Sequence, residues 1–282
     1  MGTTTGLELD ERLSKSICDW ISHPVTANIA ANTVIQCNYL SQYDEARDRY
    51  FENWFIFITS KNNINTERKV RFSYTANAVS NVYGTALSAD TATNIADIRV
   101  YRYSHASKLR AINDSIRELY PDIFREVDDT TITCNSALYE YNLPTTIQDG
   151  EVRQILVNTS ALTTTEEGWD RVWNWAVINS GQSIRLAGLF STGRKLRIIG
   201  IAPVNTISNA TVDTIPFNGE PNLTLLTAYA KYKLYQQAGS PVSSKDITRY
   251  DNEVMKAYGE YIRLLPRGRM TKPATTIKFR GF

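Results

Sequence analysis

The chain has 282 residues, and its 31 Lys and Arg residues against 29 Asp and Glu residues give a formal net charge of +2. This near balance excludes a protein whose whole surface binds nucleic acid. Two histidines and three widely spaced cysteines, with no CxxC pair, argue against a zinc site. No apolar run is long enough to cross a membrane and no secretory signal is present, so we expect a soluble protein made in the cytoplasm.

Four segments carry apolar residues at helical spacing. The first, for example, places Leu9, Leu13 and Ile17 on one face, and Pro24 stops it. The fourth is predicted to end at Pro266. The four predicted helices cover residues 7–21, 104–121, 221–239 and 243–266.

Two long stretches between the helices alternate apolar and polar residues as strands do. The resulting order of helix, β, helix, β, helix, helix does not suit parallel βαβ units, because the helices do not alternate with single strands. We therefore predict an α+β fold: a discontinuous four-helix core with two inserted antiparallel β modules and an extended C-terminal arm. The core would comprise residues 1–24, 104–124 and 221–266, the modules 25–103 and 125–220, and the arm 267–282.

A hairpin is predicted in the first module, in the stretch YFENWFIFITSKNNINTERKVRFSY. Trp54, Ile56 and Ile58 share one face of its first strand, while Phe55 and Phe57 share the other. Both faces are apolar, which predicts cover on both sides. A neighbouring subunit could supply the second cover.

The motifs of common enzyme sites are missing from the sequence, which has no GxSxG, HExxH, GxxxxGK[ST] or GxGxxG pattern. His105 falls at the start of a predicted helix, where we expect a surface residue rather than a catalytic base. Acidic neighbours such as Glu166 and Glu167 lie in predicted loops. We therefore assign no catalytic residue, cofactor or metal and predict that the protein is not an enzyme, unless an acidic pair lines one cleft.

Three tryptophans, Trp169, Trp173 and Trp175, stand close together in the second module. In VWNWAV the two-residue period of a strand places Trp173 and Trp175 on the same face as Val177. Such a stripe favours the buried face of a β-sandwich. The alternative is an exposed platform on which sugars or bases stack.

The end of the chain is locally basic, since residues 261–282 contain Lys and Arg but no Asp or Glu. A solvated, disordered end is the simplest interpretation. Against it, Ile277, Phe279 and Phe282 are large apolar residues near strand spacing, which disordered tails rarely keep. The alternative is an arm that adds a strand to the edge of another protein's sheet.

The hairpin and the helix after it resemble the head-to-tail adaptor (connector) proteins of tailed bacteriophages. The helix has the form LRAINDSIRELYP, and the Tyr-rich last two helices are similar to the helical pair that ends such adaptors. The polar turn KNNINT lacks the glycines that are often found there. The first helix and the second module match only in their order. The hairpin residues that carry the resemblance are Trp54, Thr59, Ser60, Glu67 and Arg68.

The resemblance implies a structural role in the virion neck, for a protein made in the host bacterial cytoplasm. Such adaptors form a ring, usually twelvefold, that docks beneath the portal of the DNA-filled head. The implied partners are the portal protein, further copies of this chain and a tail or neck protein below, with DNA passing through without sequence readout and no membrane. The implied portal-binding residues of the arm are Arg267, Arg269, Lys272, Ile277, Lys278, Phe279, Arg280 and Phe282. The candidates for contacts between subunits are Trp54, Phe55, Phe57, Tyr229, Tyr232, Tyr250, Tyr258 and Tyr261.

Two alternatives to the adaptor remain open. One is a glycan-binding β-sandwich module of a phage tail, which predicts that at least one of Trp169, Trp173 and Trp175 is exposed. The other is a neighbouring neck protein, such as a stopper or a tail terminator, which would share the virion but lie one layer lower. Copy number and contacts would distinguish such a neck protein from the adaptor.

Overall fold

The computed structural model describes residues 2–27, 29–30, 32–76, 79–90, 96–159, 168–217, 220–238 and 244–269. Over these residues the fold is mixed α+β, with four α-helices and several antiparallel sheets. The chain divides into two compact units. The helical unit comprises Gly2–Glu118, Thr206–Ile215 and Gly219–Phe282, and the β unit comprises Leu119–Asn205 and Pro216–Asn218.

All four α-helices belong to the helical unit. A capping box begins the first of them: the Thr5 side chain accepts the Glu8 N–H, and the Glu8 carboxylate accepts the Thr5 N–H. The four helices are α1 (Gly6–Ser16), α2 (His105–Glu118), α3 (Glu220–Gln237) and α4 (Ser244–Arg269). The existence and order of the predicted helices are confirmed.

Two of the predicted helix ends were wrong. Helix α1 ends at Ser16 rather than near Ile21, because Cys18 adopts a left-handed conformation with φ of 55° and the chain then enters a strand. Helix α4 continues past Pro266 to Arg269. A proline inside a helix removes one backbone hydrogen bond, and here the helix extends only three residues beyond it.

The helical unit also contains a six-stranded antiparallel sheet, in the order β2-β7-β4-β5-β6-β3. The predicted hairpin is confirmed as β4 and β5, with Phe55 opposite Lys69 and Ile58 opposite Thr66. Ile56, which is fully buried, lies in the core of this sheet. The strands are β2 (Ile21–Pro24), β3 (Val34–Gln36), β4 (Phe55–Ile58), β5 (Thr66–Tyr74), β6 (Val79–Val82) and β7 (Asp97–Tyr101).

Helix α3 has contacts with each of the other three helices. Its buried residues include Leu225, Leu226, Ala230 and Leu234, which lie on more than one side of the helix. A helix that is apolar on several sides is expected to be surrounded by other elements. Strand β1 (Gly2–Thr5) directly precedes α1 and pairs with β15 (Thr214–Phe217) in a two-stranded sheet.

The β unit contains two antiparallel sheets that share one core. The four-stranded sheet has the order β11-β10-β14-β8, and the three-stranded sheet has the order β12-β13-β9. Ile155 and Ile198 of the first sheet and Ile184 and Leu186 of the second are all buried in this core. The strands are β8 (Arg125–Asp129), β9 (Glu140–Asn142), β10 (Glu151–Asn158), β11 (Trp169–Val172), β12 (Trp175–Ile178), β13 (Ser183–Leu186) and β14 (Leu196–Ala202).

The prediction that VWNWAV is one continuous strand was wrong. Strand β11 ends at Val172 and β12 begins at Trp175, so the two halves of this segment lie in different sheets. Trp173 and Asn174 form the connection between them. The side chains of Trp173 and Trp175 therefore do not share a face of one sheet.

Candidate functional site

Helix α4 carries an apolar stripe along its outer side, formed by Met255, Tyr258 and Ile262. These side chains are 66%, 41% and 44% exposed, respectively. Their spacing of three and four residues places them on one face of the helix, away from the buried Ala257. Gly259 lies in the same stripe, where a Cβ would meet only open space. Large apolar residues exposed in a row indicate a site of interaction with another surface.

A cluster of four tyrosines joins α3 to α4 beside this stripe. The ring centroids of Tyr229 and Tyr261 are 4.6 Å apart, and those of Tyr232 and Tyr258 are 5.2 Å apart, both within the usual range for aromatic pairs. Tyr229, Tyr232 and Tyr261 are half-buried, so they make these contacts within the chain. Tyr258 is the one member that also belongs to the exposed stripe.

Polar contacts join α3 to α2 on one side and to α4 on the other. The Tyr229 hydroxyl donates to Glu118, and burial together with this carboxylate raises the pKa of Tyr229, so the hydroxyl stays protonated. Lys233 Nζ lies 2.7 Å from Glu118 of α2. Tyr250, half-buried on α4, donates its hydroxyl to the carbonyl oxygen of Tyr235 on α3. These contacts make α4 a fixed platform for the stripe on its outer side.

A buried network of charged groups joins α1, β7 and α2. Asp10 accepts a hydrogen bond from the Tyr101 hydroxyl, and its Oδ1 lies 3.3 Å from Nδ1 of His105. Nη1 of Arg99 lies 3.4 Å from Asp10 Oδ2. Burial alone would raise the pKa of Asp10, but the surrounding donors and cations, with His105 foremost, hold it below its ordinary value. Asp10 is therefore ionised at neutral pH.

Lys108 is the second charged centre of this network and is fully buried. Its Nζ lies 3.0 Å from Oδ2 of Asp19 and 2.9 Å from Oγ of Ser14, and 3.3 Å from the centroid of the Tyr101 ring. Burial lowers the pKa of Lys108, while the neighbouring carboxylates act in the opposite direction. Because neither Asp10 nor Lys108 is accessible to solvent, the network joins elements of the fold and does not present groups to a substrate.

The expectation that His105 is a surface residue was wrong. His105 is buried, and its ring stacks on Phe57 of the hairpin with the centroids 3.9 Å apart. Phe57 itself is only 1% exposed. The chain therefore covers this face of the hairpin itself, so Phe57 offers no surface to a second subunit. Trp54 and Phe55, the other two hairpin candidates, are half-buried.

The hairpin residues that carry the resemblance each have a structural partner. Glu67 accepts the backbone N–H of His105 at the start of α2, so its carboxylate satisfies one of the free donors of the helix N-terminus. Asp97 N–H donates to Ser60 Oγ at 2.8 Å, and the Arg102 guanidinium lies 4.8 Å from the Trp54 ring centroid. These contacts are structural, because each joins the hairpin to a neighbouring element of the fold.

A cleft of about 580 Å³ lies near the end of α1. Its lining includes Cys18, Tyr235, Arg249 and Glu253. Both acidic and basic side chains line the cleft, and neither of the two histidines of the chain is among its lining residues. The cleft therefore offers polar and charged contacts.

The three tryptophans of the β unit have different surroundings. Trp173 is 74% exposed, and the guanidinium of Arg171 lies 4.3 Å from its ring centroid. Trp169 is half-buried, with the Arg197 guanidinium 5.7 Å from its ring centroid. Trp175 is half-buried against the shared core. The favoured interpretation, a buried stripe, is wrong for Trp173.

The predicted portal-binding arm lies almost entirely outside the described residues. Arg267 and Arg269 belong to the last turn of α4, of which the structure describes the backbone. The remaining arm candidates, Lys272, Ile277, Lys278, Phe279, Arg280 and Phe282, lie outside the described part of the chain.

Neither a metal centre nor a membrane span is found in the described part of the chain. No group of three or more His, Cys, Asp or Glu residues there could hold a metal ion. The three cysteines are free, with Cys37 and Cys134 buried and Cys18 exposed. Among the helices described, none is long and apolar enough to cross a bilayer.

Three of these features were not predicted from the sequence: the stripe on α4, the contact of Arg171 with Trp173, and the buried network around Asp10. The stripe of Met255 and Ile262 was readable, because both lie at helical spacing from Tyr258, but only the tyrosines of α4 were assigned. The pairing of Arg171 with Trp173 was also readable, from their spacing of two residues. The network around Asp10 left no local signal, since Asp10 and Tyr101 are distant in the sequence.

Comparison with known protein families and with curated proteins finds no match for this chain.

Proposed function

We propose that this chain is a head-to-tail adaptor of a tailed bacteriophage. In this proposal it is a structural protein of the virion neck that assembles into an oligomeric ring, docks on the portal and extends the DNA channel towards the tail. Its function is assembly, without a catalytic step. The hairpin, the helix after it and the two final helices, on which the resemblance rests, provide the starting point.

The observation that carries the proposal is the exposed apolar stripe of Met255, Tyr258 and Ile262 on α4. A ring of identical chains needs heterologous contacts, in which one face of a subunit meets a different face of the next. Fully burying one exposed apolar side chain contributes about 1.5–3 kcal/mol. These three are already partly covered, so the stripe would supply a part of the free energy of association, to which other contacts of the subunit would add. Gly259 within the stripe permits the close approach of another element.

We further propose that the four helices act as a discontinuous adaptor core from which the arm extends. Helix α3 contacts α1, α2 and α4, although these segments are far apart in the sequence. The stripe and the start of the arm both belong to α4. Ring contacts through α4 would therefore fix where every arm begins, and many weak arms acting together bind a multimeric portal far more tightly than one.

The arm of residues 267–282 is the proposed contact with the portal. Its apolar residues Ile277, Phe279 and Phe282 would fill pockets along a sheet edge, while the main chain forms the hydrogen bonds of an added strand. Lys278 and Arg280 would pair with acidic groups on the portal. DNA would pass through the ring without base-specific contacts, in keeping with the near-zero net charge of the chain.

Sedimentation velocity of the purified chain, alone and mixed with the portal from the same genome, tests this proposal. We expect several copies of the chain to sediment with each portal ring. Ring proteins can remain monomeric until a template supplies the first contacts, so the mixture is the decisive sample. Sedimentation of the chain as a monomer in both samples would refute the proposal, and self-assembly without portal binding would favour a stopper or a tail terminator.

A further inference from the structure

The outer face of the four-stranded sheet in the β unit combines aromatic and basic side chains. Trp169 and Arg171 lie on the same face of β11, and Trp173 follows directly after the strand. Arg171 is opposite Leu156 of β10, which is opposite Arg197 of β14, so both arginines belong to this face. The side chains named so far are half-buried or exposed, while Asn158, opposite Trp169, is buried.

Trp173 is an accessible platform in contact with Arg171. The guanidinium of Arg171 lies at 4.3 Å from the centroid of its ring, a cation–π contact that favours one orientation of the indole. Because most of the Trp173 side chain is exposed, the opposite side of the ring remains open to solvent. An aromatic ring held in this way can stack with the apolar face of a ligand at little cost in side-chain entropy.

The two arginines of this face differ in how their charge is compensated. Arg197 is paired with Asp128, whose Oδ1 lies 2.7 Å from Arg197 Nε. Arg171 has neither an ion pair nor a side-chain hydrogen bond within the described part of the chain. Among the described residues the Arg171 guanidinium has no anionic partner, and its position next to an exposed indole favours a ligand that brings its own carboxylate.

We propose that this face binds a carboxylated glycan, as an activity of the β unit separate from ring assembly. A pyranose ring would stack on the open side of Trp173, and the carboxylate of another sugar unit of the same glycan would pass the edge of the indole and pair with Arg171 on the other side. Gln154, half-buried on the same face, is available for hydroxyl groups of the sugar. The ligand class is a glycan containing uronic or sialic acid.

Charge and size favour a glycan over two other partners. A single-stranded nucleic acid needs a track of uncompensated basic residues along its backbone. Here Arg171 is the one arginine of this face without an ion pair among the described residues, the exposed Asp170 is next to it in the chain, and Asp128 lies across the sheet. A protein partner would need a larger apolar area than one indole provides. A small ligand with a single anionic group suits the face best.

Isothermal titration of the full-length chain with defined sugars tests the proposal. The probes are an oligogalacturonate hexamer, sialyllactose and a hyaluronan hexasaccharide, with neutral maltohexaose and oligothymidine for comparison. We expect at least one carboxylated probe to bind, and Trp173→Ala and Arg171→Gln each to lower its affinity by about tenfold or more, which corresponds to about 1.4 kcal/mol. Arg185→Gln is the matched control, because Arg185 is an exposed arginine paired with Glu140 on the other sheet.

Three results would overturn the inference: no binding of any carboxylated probe, equal binding in the Trp173→Ala variant, or tighter binding of oligothymidine than of every sugar. Trp173 and Arg171 are on the surface, so these variants are expected to fold, and far-ultraviolet circular dichroism checks this. Sedimentation with the portal should be unchanged in Trp173→Ala, which keeps a failure of this inference separate from a failure of the adaptor proposal.

Discussion

The imidazole of His105 lies flat on the ring of Phe57, with their centroids 3.9 Å apart and 15° between their planes. The same hairpin supplies Glu67, which accepts the backbone N–H of His105. Two contacts therefore fix the β4–β5 hairpin to the first turn of α2. The hairpin and the helix that follows it are thus parts of one packed structure.

The Phe57→Ala variant should show how much this junction contributes to stability. Removing a fully buried aromatic ring typically lowers the free energy of unfolding by about 3–5 kcal/mol, because contacts are lost and a cavity remains. The control is Phe55→Ala, on the same face of the strand but half-buried, for which we expect a clearly smaller loss. Urea unfolding measures both. Equal losses in the two variants would show that the stacking of Phe57 on His105 contributes no more to the free energy of unfolding than a half-buried ring does.

The buried carboxylate of Asp10 predicts a specific dependence of stability on acid. Its pKa in the folded chain is below the unfolded value near 3.8. The stability it contributes is therefore fully present above that unfolded value and is lost as the pH falls through the lower folded pKa. Asp10→Asn should lower the free energy of unfolding at pH 7 by about 3 kcal/mol, since it leaves buried partners unpaired. It should also reduce the loss of stability below pH 4.

The control for Asp10 is Asp128→Asn, because Asp128 forms an exposed ion pair with Arg197. Exposed pairs typically contribute about 1 kcal/mol or less, so this variant should stay close to the unmodified chain at pH 7. Urea unfolding at several pH values measures both variants. A loss in Asp10→Asn no larger than in Asp128→Asn would contradict the assignment of Asp10 as the centre of the network.

Gly200 on β14 should not tolerate a side chain. A Cβ at this position would overlap the carbonyl oxygen of Glu151 on the neighbouring strand, so Gly200→Ala must displace the backbone of the β unit. We expect a loss of about 1–3 kcal/mol, as for other overpacked sites. Gly188→Ala is the matched control, since open space surrounds that position. Thermal unfolding that gives the same midpoint for both variants would contradict this packing.

Two charges placed on the outer stripe of α4 should prevent ring assembly. In Met255→Glu combined with Ile262→Glu, each subunit contact would have to bury a carboxylate, which costs far more than the apolar contact contributed. We expect the chain to stay folded, because both positions are exposed, but to sediment as a monomer with or without the portal. Lys256→Glu changes the net charge by the same amount on another face of α4 and should still assemble. Assembly of the double variant would show that the stripe is not the subunit contact.

Removing residues 270–282 should separate portal docking from ring formation. This deletion keeps all of α4, which ends at Arg269, and therefore keeps the stripe. We expect rings or ring-forming monomers that no longer sediment with the portal. Replacing Ile277, Phe279 and Phe282 with serine should have nearly the same effect, whereas Lys278→Ala with Arg280→Ala should mainly slow association. Portal binding that survives the deletion would contradict the role of the arm.

Local patterns were sufficient to predict the helices and the hairpin. The spacing of apolar residues located all four helices, and the alternation in FENWFIFITS with the polar turn located β4 and β5. The end of α1 could not be read, because Ile17 and Ile21 continue the helical pattern while the positive φ of Cys18 ends the helix. The extension of α4 beyond Pro266 was likewise hidden by the usual effect of proline.

Burial and exposure that depend on contacts between residues far apart in the sequence could not be predicted from local pattern. Phe57 and His105 are far apart in the sequence, so neither the burial of His105 nor the cover over Phe57 could be inferred from local pattern. The period of VWNWAV did not show that the chain passes between two sheets at Trp173. Met255 and Ile262 were overlooked for another reason: α4 has apolar residues on more than one face, and only its tyrosines were assigned to subunit contacts.

Electron microscopy of the purified chain mixed with the portal from the same genome tests the central claim most directly. The adaptor proposal predicts a second ring stacked on one side of the portal ring, coaxial with its channel and missing when residues 270–282 are deleted. Portal rings that remain bare in the presence of excess folded chain would contradict it.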